Sequence, residues 1–492
     1  YRQKIESKLQ KSEAYTEIPE STFKIPNRIK QFFVFLTRDV KAKLTNTQYL
    51  VINLFEAPLL AFILAYLVKF YNTDISNKTG YIFRENENLT AYLFMSVVVA
   101  LFIGLTVSAE EIIRDRKILK RESFLNLSHS SYLVSKISIM FILSAIQTIC
   151  FVLLGNWILE VKDLTMDYWF ILFTTSCFAN MLGLNISSAF NSAVTIYILI
   201  PFLLIPQLLL SGVIVKFEKL NPEITSQKNV PVTGEMMASR WAFEALAVNQ
   251  FKNNKFERQF YSYNKEISTA DFKKNFWVKQ LDAKVDKCES YLADPKFKEE
   301  VTSGLALLQK EISKEEKRVK SIKYGLTSNL TYSAFNSDIA AKTRDYLTRL
   351  NKYYIRRSNK ASAAKDSLVS TLNDTEQKKA SFLKKKNEYE NESLSDLVNN
   401  TNELNKIIET ADGELIQRAE PIFLDPYDSN IRAHFYAPRK KVFGKYFDTY
   451  WVNSIVIWFM SLLMIITLYF DVLRKLIEGG GNIFERFSKK KV

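Results

Sequence analysis

Six stretches of this chain are apolar over about twenty residues, the length a helix needs to cross the hydrocarbon of a bilayer at 1.5 Å per residue. They are Gln48–Phe70, Ala91–Ala109, Tyr132–Leu159, Asp167–Asn191, Ala193–Val215 and Tyr450–Leu473. Buried helices of soluble proteins seldom run this long without charge. Lipid also demands that each spanning segment satisfy its own backbone hydrogen bonds, which selects helices. The pattern therefore predicts an all-α membrane protein with six transmembrane helices. Tyr71, Tyr92, Trp157, Tyr168, Trp169, Tyr450 and Trp451 stand at run ends, where aromatic rings settle at headgroup depth.

Composition adds a second part. The mean hydropathy of −0.08 over 492 residues is too low for a chain that is membrane throughout. The polar residues concentrate in 216–449, between the fifth and sixth runs. The net charge of +15 is concentrated in flanks of the apolar runs, which favours anionic lipid headgroups as partners over nucleic acid, for which no recognition module is present. Lysine and arginine bias sets the orientation. The stretch 1–47, the loop after the second run and the tail 474–492 are basic, whereas 71–90 and 160–166 are poor in Lys and Arg. Both termini are accordingly expected in the cytoplasm. Arg439, Lys440, Lys441 and Lys445 are the exception, lying on the outer side before the sixth span.

Five segments follow: 1–47, a cytoplasmic linker with an amphipathic connecting helix; 48–215, transmembrane helices 1–5; 216–449, an extracytoplasmic, mostly helical insertion; 450–473, transmembrane helix 6; and 474–492, a basic cytoplasmic tail. Asn27–Leu44 interleaves Ile29, Phe32, Phe33, Phe35, Leu36, Val40 and Leu44 with basic residues, as an interfacial helix does. Within the insertion, Leu347, Tyr354, Ala361 and Leu368 with Leu350, Arg357, Ala364 and Thr371 mark an imperfect heptad, and hence a coiled-coil or stalk element. Further helical patterns cover Phe272–Ser321 and Asp374–Thr410, and antiparallel packing of the three is the simplest arrangement. Such an insertion is either a spacer or a docking site for an envelope partner.

No phosphate-binding loop of the form GxxxxGK[ST] occurs, so ATP hydrolysis is not expected of this chain. Leu210-Ser211-Gly212 lies at the end of an apolar run and reads as a helix end, and Gly479-Gly480-Gly481 reads as a linker. The three cysteines and two histidines form neither a metal spacing nor a nucleophile–base arrangement, so no catalytic and no metal residues are assigned. Glu56 falls inside the first span, where an unpaired charge costs at least about 2.5 kcal/mol. It is a candidate for a translocation path or an interhelical anchor. Thr174, Asn180 and Asn185 of the fourth span, and Gln207 of the fifth, either bond between helices or line the same path. Pro201 and Pro206 make the fifth span a candidate for kinking. Glu110–Ser123 is short, helical by propensity and densely charged, with Arg114, Arg116, Lys117, Lys120, Arg121 and Glu122. It can dock into a groove of a soluble partner.

The order of these elements resembles the permease domain of type-2 ABC exporters, close to the G subfamily. The strings Pro206-Gln-Leu-Leu-Leu-Ser211-Gly212, Leu220-Asn-Pro222 and Ser239-Arg240-Trp241-Ala242-Phe243-Glu244-Ala245-Leu246 are similar to the end of span five, its external turn and a short external helix of that family. The resemblance covers about 1–250 and 447–480, while 255–435 departs from it. It implies an exporter that is a dimer, with a homodimer as the first expectation, and the bulky insertion and Asn/Lys-rich composition suggest a bacterial inner membrane. An ABC ATPase would drive it, either as a separate chain or fused upstream; Tyr1 in place of Met fits the latter. It also implies ATP and Mg on that ATPase with no cofactor in this chain, Glu110–Ser123 as the coupling helix, and Arg240, Trp241 and Glu244 as an external helix motif. The alternatives are a mechanotransmitter that moves a periplasmic stalk and a non-transporting scaffold.

Overall fold

A computed structural model describes residues 26–78, 80–122, 127–410, 412–426 and 431–479. The expectations for 1–25, for Ser123 and for the tail from 480 lie outside these residues. Helix α1 (Arg28–Thr45) begins where the Asn27 side chain accepts the Lys30 N–H at 2.8 Å, as an N-cap does. It buries Gln31, Phe35 and Lys43 and exposes Ile29, Phe33 and Leu44.

Among the described residues, five helices are long and apolar enough to cross a membrane. These are α2 (Thr47–Val68), α3 (Leu89–Ala109, running through Glu110 into the charged α4, Glu111–Arg121), α5 (His129–Leu159), α6 (Thr165–Ala189) and a last helix, Thr449–Tyr469. The fifth apolar run differs from expectation. Its helix, α7 (Ala193–Leu209), has 17 residues, about 26 Å at the α-helical rise, and passes unbroken through Pro201 and Pro206. The chain turns at Gly212, whose φ is +80°. A Cβ there would stand 2.3 Å from the Phe217 ring, so only glycine allows the turn to close on that ring. Leu210-Ser211-Gly212 is thus a helix end.

Helix α6 is central, with 83% of its apolar window buried, and α2 is peripheral, with 17%. The α3–α6 contact is made by small residues. A Cβ on Gly104 would meet the Ser176 carbonyl at 2.6 Å, and one on Gly183 would meet Ser108 Oγ at 2.0 Å. Lipid offers helices no hydrophobic reason to associate, so close backbone approach of this kind supplies the packing.

The connection between α7 and the last helix divides between two cores. Helix α8 (Ala238–Asn253) is buried against α3, α6 and the last helix, with Phe243 edge-on to Phe94. A separate core is built by α9 (Tyr261–Phe272), a π-helical turn at Lys273–Trp277, α10 (Val278–Tyr291), α11 (Lys298–Arg318) and α12 (Ser337–Leu372). The heptad stripe of α12 buries Leu347, Leu350, Tyr354 and Ala361 against this bundle, whereas Ala364 and Thr371 are exposed. The chain returns through α13 (Glu376–Tyr389) and α14 (Glu392–Asn399), whose Leu394 and Val398 rejoin the membrane-proximal core. The third helical pattern stops at Asn400, which turns left-handed (φ 52°). Beyond it lie two antiparallel hairpins, β1–β2 (Ile407–Glu409, Leu415–Gln417) and β3–β4 (Arg439–Val442, Lys445–Asp448). The last helix, α15 (Thr449–Tyr469), starts directly after β4, capped by Asp448.

Candidate functional site

Three sets of polar side chains stand out from the apolar bundle, two at its ends and one in a cavity. At the α4 end, Glu111 is 1% exposed and is the hub of a buried ion cluster. Lys43 Nζ of α1 donates to it at 2.7 and 2.8 Å, Lys136 Nζ of α5 at 3.1 Å, and Arg114 at 2.9 Å. Lys136 also pairs with Asp39 at 3.0 Å and Asp115 at 2.8 Å, and the Tyr132 hydroxyl donates to Asp115 at 3.2 Å. Burying these charges is costly unless each is paired, and here the pairing joins α1, α4 and α5.

The start of α4 is also tied to α6. Ser187 Oγ accepts the backbone N–H of Ile112 at 3.0 Å and of Ile113 at 3.1 Å, satisfying donors that a helix N-terminus leaves unpaired. Arg116 reaches the carbonyls of Ser187 and Ser188 and the side chain of Asn191. Glu122 accepts from Arg38 of α1 at 2.9 Å. Lys117, Lys120 and Arg121 are exposed. The charged residues singled out in the sequence therefore separate into two groups. Arg114, Arg116 and Glu122 hold α4 in place, and Lys117, Lys120 and Arg121 face outward. Sequence reasoning missed Asp39, Lys43, Glu111, Asp115 and Lys136. The available signal was Lys136 itself, a lone cation inside an apolar run that demands a buried acid.

Glu56 lies in a cavity of about 450 Å³ between α2, α3–α4 and α7, with Tyr49, Asn53, Glu110 and Tyr197 among its walls. The polar residues of α6 bond between helices. Asn180 Nδ2 donates to Ser144 Oγ at 2.7 Å, and Asn185 Nδ2 to the Met464 carbonyl at 2.9 Å. Thr174 is fully buried. Gln207 of α7 receives the Ser239 N–H at 3.0 Å, which fixes the start of α8.

At the opposite end, Arg240, Trp241 and Glu244 lie together, all at most 2% exposed. Glu244 accepts from Lys440 at 2.7 Å and from Asn453 of α15 at 2.8 Å. The Arg240 guanidinium lies 4.0 Å from the Trp241 ring centroid and 3.5 Å from Glu244. Burial lowers the Lys440 pKa to about 8, with repulsion from Arg240 adding to the effect. Burial pushes the Glu244 carboxyl up, but Arg240 and Lys440 outweigh it and hold the group below the usual range. Lys440, one of the basic residues that broke the charge bias, is here the buried counter-ion of an acid.

No curated protein matches the chain. A family model does: residues 30–251 match the ABC-2 type transporter family. That stretch begins in α1, contains α2–α7 and the α4 junction, and ends in α8 just beyond Glu244. Residues 30–251 are therefore similar to the membrane domain of ABC-2 type transporters.

Proposed function

We propose that the chain is the membrane half of an ATP-driven exporter of the G-subfamily type in a bacterial inner membrane, with α4 as its coupling helix. In this reading α7 completes six spans, and both termini and α4 face the cytoplasm. The insertion is extracytoplasmic, and two copies pair across faces such as that of α2, where Leu54, Phe55, Phe62 and Tyr66 are exposed. An ABC ATPase, separate or fused, binds ATP and Mg and pushes on α4. The observation that carries the proposal is the double attachment of α4. Glu111 clamps it to α1 and α5, and Ser187 with Arg116 ties it to α6, while Lys117 and Arg121 are exposed for docking. A displacement of α4 must therefore be shared by the spans attached to it. The cavity holding Glu56 and Glu110 is the candidate entry to the path.

A second reading is favoured by the separate core of α9–α12 and by the interhelical bonding of the α6 polar residues. In it, ATP hydrolysis moves the extracytoplasmic unit to work on an envelope partner and nothing crosses the bilayer.

The test is to purify the full assembly and measure ATP hydrolysis with Lys117→Glu/Arg121→Glu in place. The expected result is a co-purifying ATPase in the wild type and, in the variant, loss of permease-dependent stimulation of hydrolysis at an unchanged membrane level. Wild-type stimulation in the variant contradicts the role given to α4.

A further inference from the structure

A cavity of about 720 Å³ lies at the seam between the two cores, where α9, α11 and α12 face the β3–β4 hairpin. Its walls carry six cations, Lys252, Lys265, Lys273, Arg318, Arg357 and Arg439, against three carboxylates, Glu266, Glu311 and Asp425. The pairing leaves this wall electropositive. Asp425 serves two cations at once, accepting from Lys265 at 2.6 Å and from Arg439 at 2.6 and 2.7 Å. Arg357 is paired with Glu266. Lys252 and Lys273 are paired with Asp448 and Glu315, which do not line the cavity. Arg318 is exposed and has no ion pair or hydrogen bond among the described residues. Burial lowers the pKa of Lys265 and of Lys273. Asp425 and Glu315 raise them again in part, and cationic neighbours add a smaller lowering, Arg439 and Lys252 for the first and Arg318 for the second. An anion in the cavity relieves that repulsion.

The rest of the wall is aromatic and apolar. Phe272 and Trp277 come from the outer core and Phe423 from the membrane-proximal one. We propose that this cavity is a binding site for a phosphate-bearing ligand with an apolar part, held by the cationic wall and bridging the α9–α12 bundle to the permease body. Arginine forks and lysine ammonium groups together suit the several oxygens of a phosphate, and the aromatic wall suits the apolar part. The hairpin that lines the cavity leads directly into α15. A lipid headgroup and a soluble phosphate ester therefore share the required chemistry.

The experiment titrates the purified full chain in neutral detergent, at constant ionic strength, with two probes: inorganic pyrophosphate and dihexanoyl phosphatidate. Intrinsic tryptophan fluorescence is the readout, with Trp277→Phe identifying the reporting ring. Saturable quenching is expected, and Arg318→Ala, which removes no ion pair, should weaken it about tenfold, the worth of one charge-assisted hydrogen bond. Lys265→Ala should weaken it as well. Tighter binding of phosphatidate points to a lipid source, and tighter binding of pyrophosphate to a soluble one. No saturable change with either probe, or a change that both variants leave intact, overturns the proposal.

Discussion

The two buried ion clusters, around Glu111 at one end of the helix bundle and around Glu244 at the other, are made from similar residues and satisfied differently. In the first, Glu111, Asp39 and Asp115 are matched by Lys43, Lys136 and Arg114, and each charged group has a partner within 3.1 Å. In the second, Arg240 approaches its carboxylates no closer than 3.4 Å. Its Nε, Nη1 and Nη2, both Glu235 oxygens and Glu244 Oε1 have no hydrogen-bond partner among the described residues. A fully bonded cluster resists rearrangement, because any shift strands a buried charge. A cluster held largely by charge and by the face of Trp241 has less directional bonding to lose. The α4 end is therefore built to move as a unit, and the α8 end to adjust.

That contrast sets an order of effects. Glu111→Gln should be the most damaging change, since it removes the carboxylate shared by Lys43, Lys136 and Arg114 and leaves Lys43 only its longer contact to Asp39 at 3.3 Å, at a cost of about 3–5 kcal/mol. Thermal unfolding in detergent should show a large fall in Tm or loss of recoverable protein, and a near-normal Tm would break the comparison. A pH effect comes next. The folded pKa of Lys440, about 8, lies below its ordinary value of 10.5, so between these values the unfolded chain binds more protons. Stability from this group must then rise as pH rises from about 8 towards 10.5, with the sign fixed by linkage. The Tm difference between pH 7.5 and 9.5 should therefore be more favourable to high pH in the wild type than in Lys440→Met. Arg240→Met should cost less, about 1–3 kcal/mol, because the guanidinium gives up no hydrogen bond and Lys440 still neutralises Glu244, so that only Glu235 is left without its ion-pair partner. A loss as large as that of Glu111→Gln would show that the two ends are equally constrained. Smallest of all, Arg38→Ala removes an ion pair whose side chains are 40% and 25% exposed. It should change stability by about 0.5 kcal/mol or less, measured by the same unfolding.

Much of this was legible in residues and some was not, for physical reasons. Apolar length located the membrane helices because the bilayer sets one dimension for all of them. It overran at α7, where the apolar run continues to Val215 but the Gly212 turn, closed on Phe217, ends the helix at Leu209. The Arg240–Trp241–Glu244 motif was visible as a string, but its partners Lys440 and Asn453 are about 200 residues away. No local pattern reports such a pairing. The α4 cluster was read from its exposed side. Arg114 to Glu122 formed an obvious charged run, whereas Glu111, Lys43 and Lys136, which anchor it, sit singly in three different elements. The apolar face of α12 is buried as far as Ala361 and not beyond it, because periodicity marks a face without saying how far its partner extends.

The account rests on α4 and the β3–β4 hairpin lying on opposite sides of the membrane, with α4 on the ATP side. The direct measurement places single cysteines at Lys117, which is exposed on α4, or at Phe443, which is fully exposed at the hairpin tip, with Cys150, Cys177 and Cys288 replaced. A membrane-impermeant maleimide is then applied to intact cells or spheroplasts. The account predicts labelling at position 443 before permeabilisation and at position 117 only after it. Labelling of position 117 in intact cells, or protection of position 443 until permeabilisation, contradicts it.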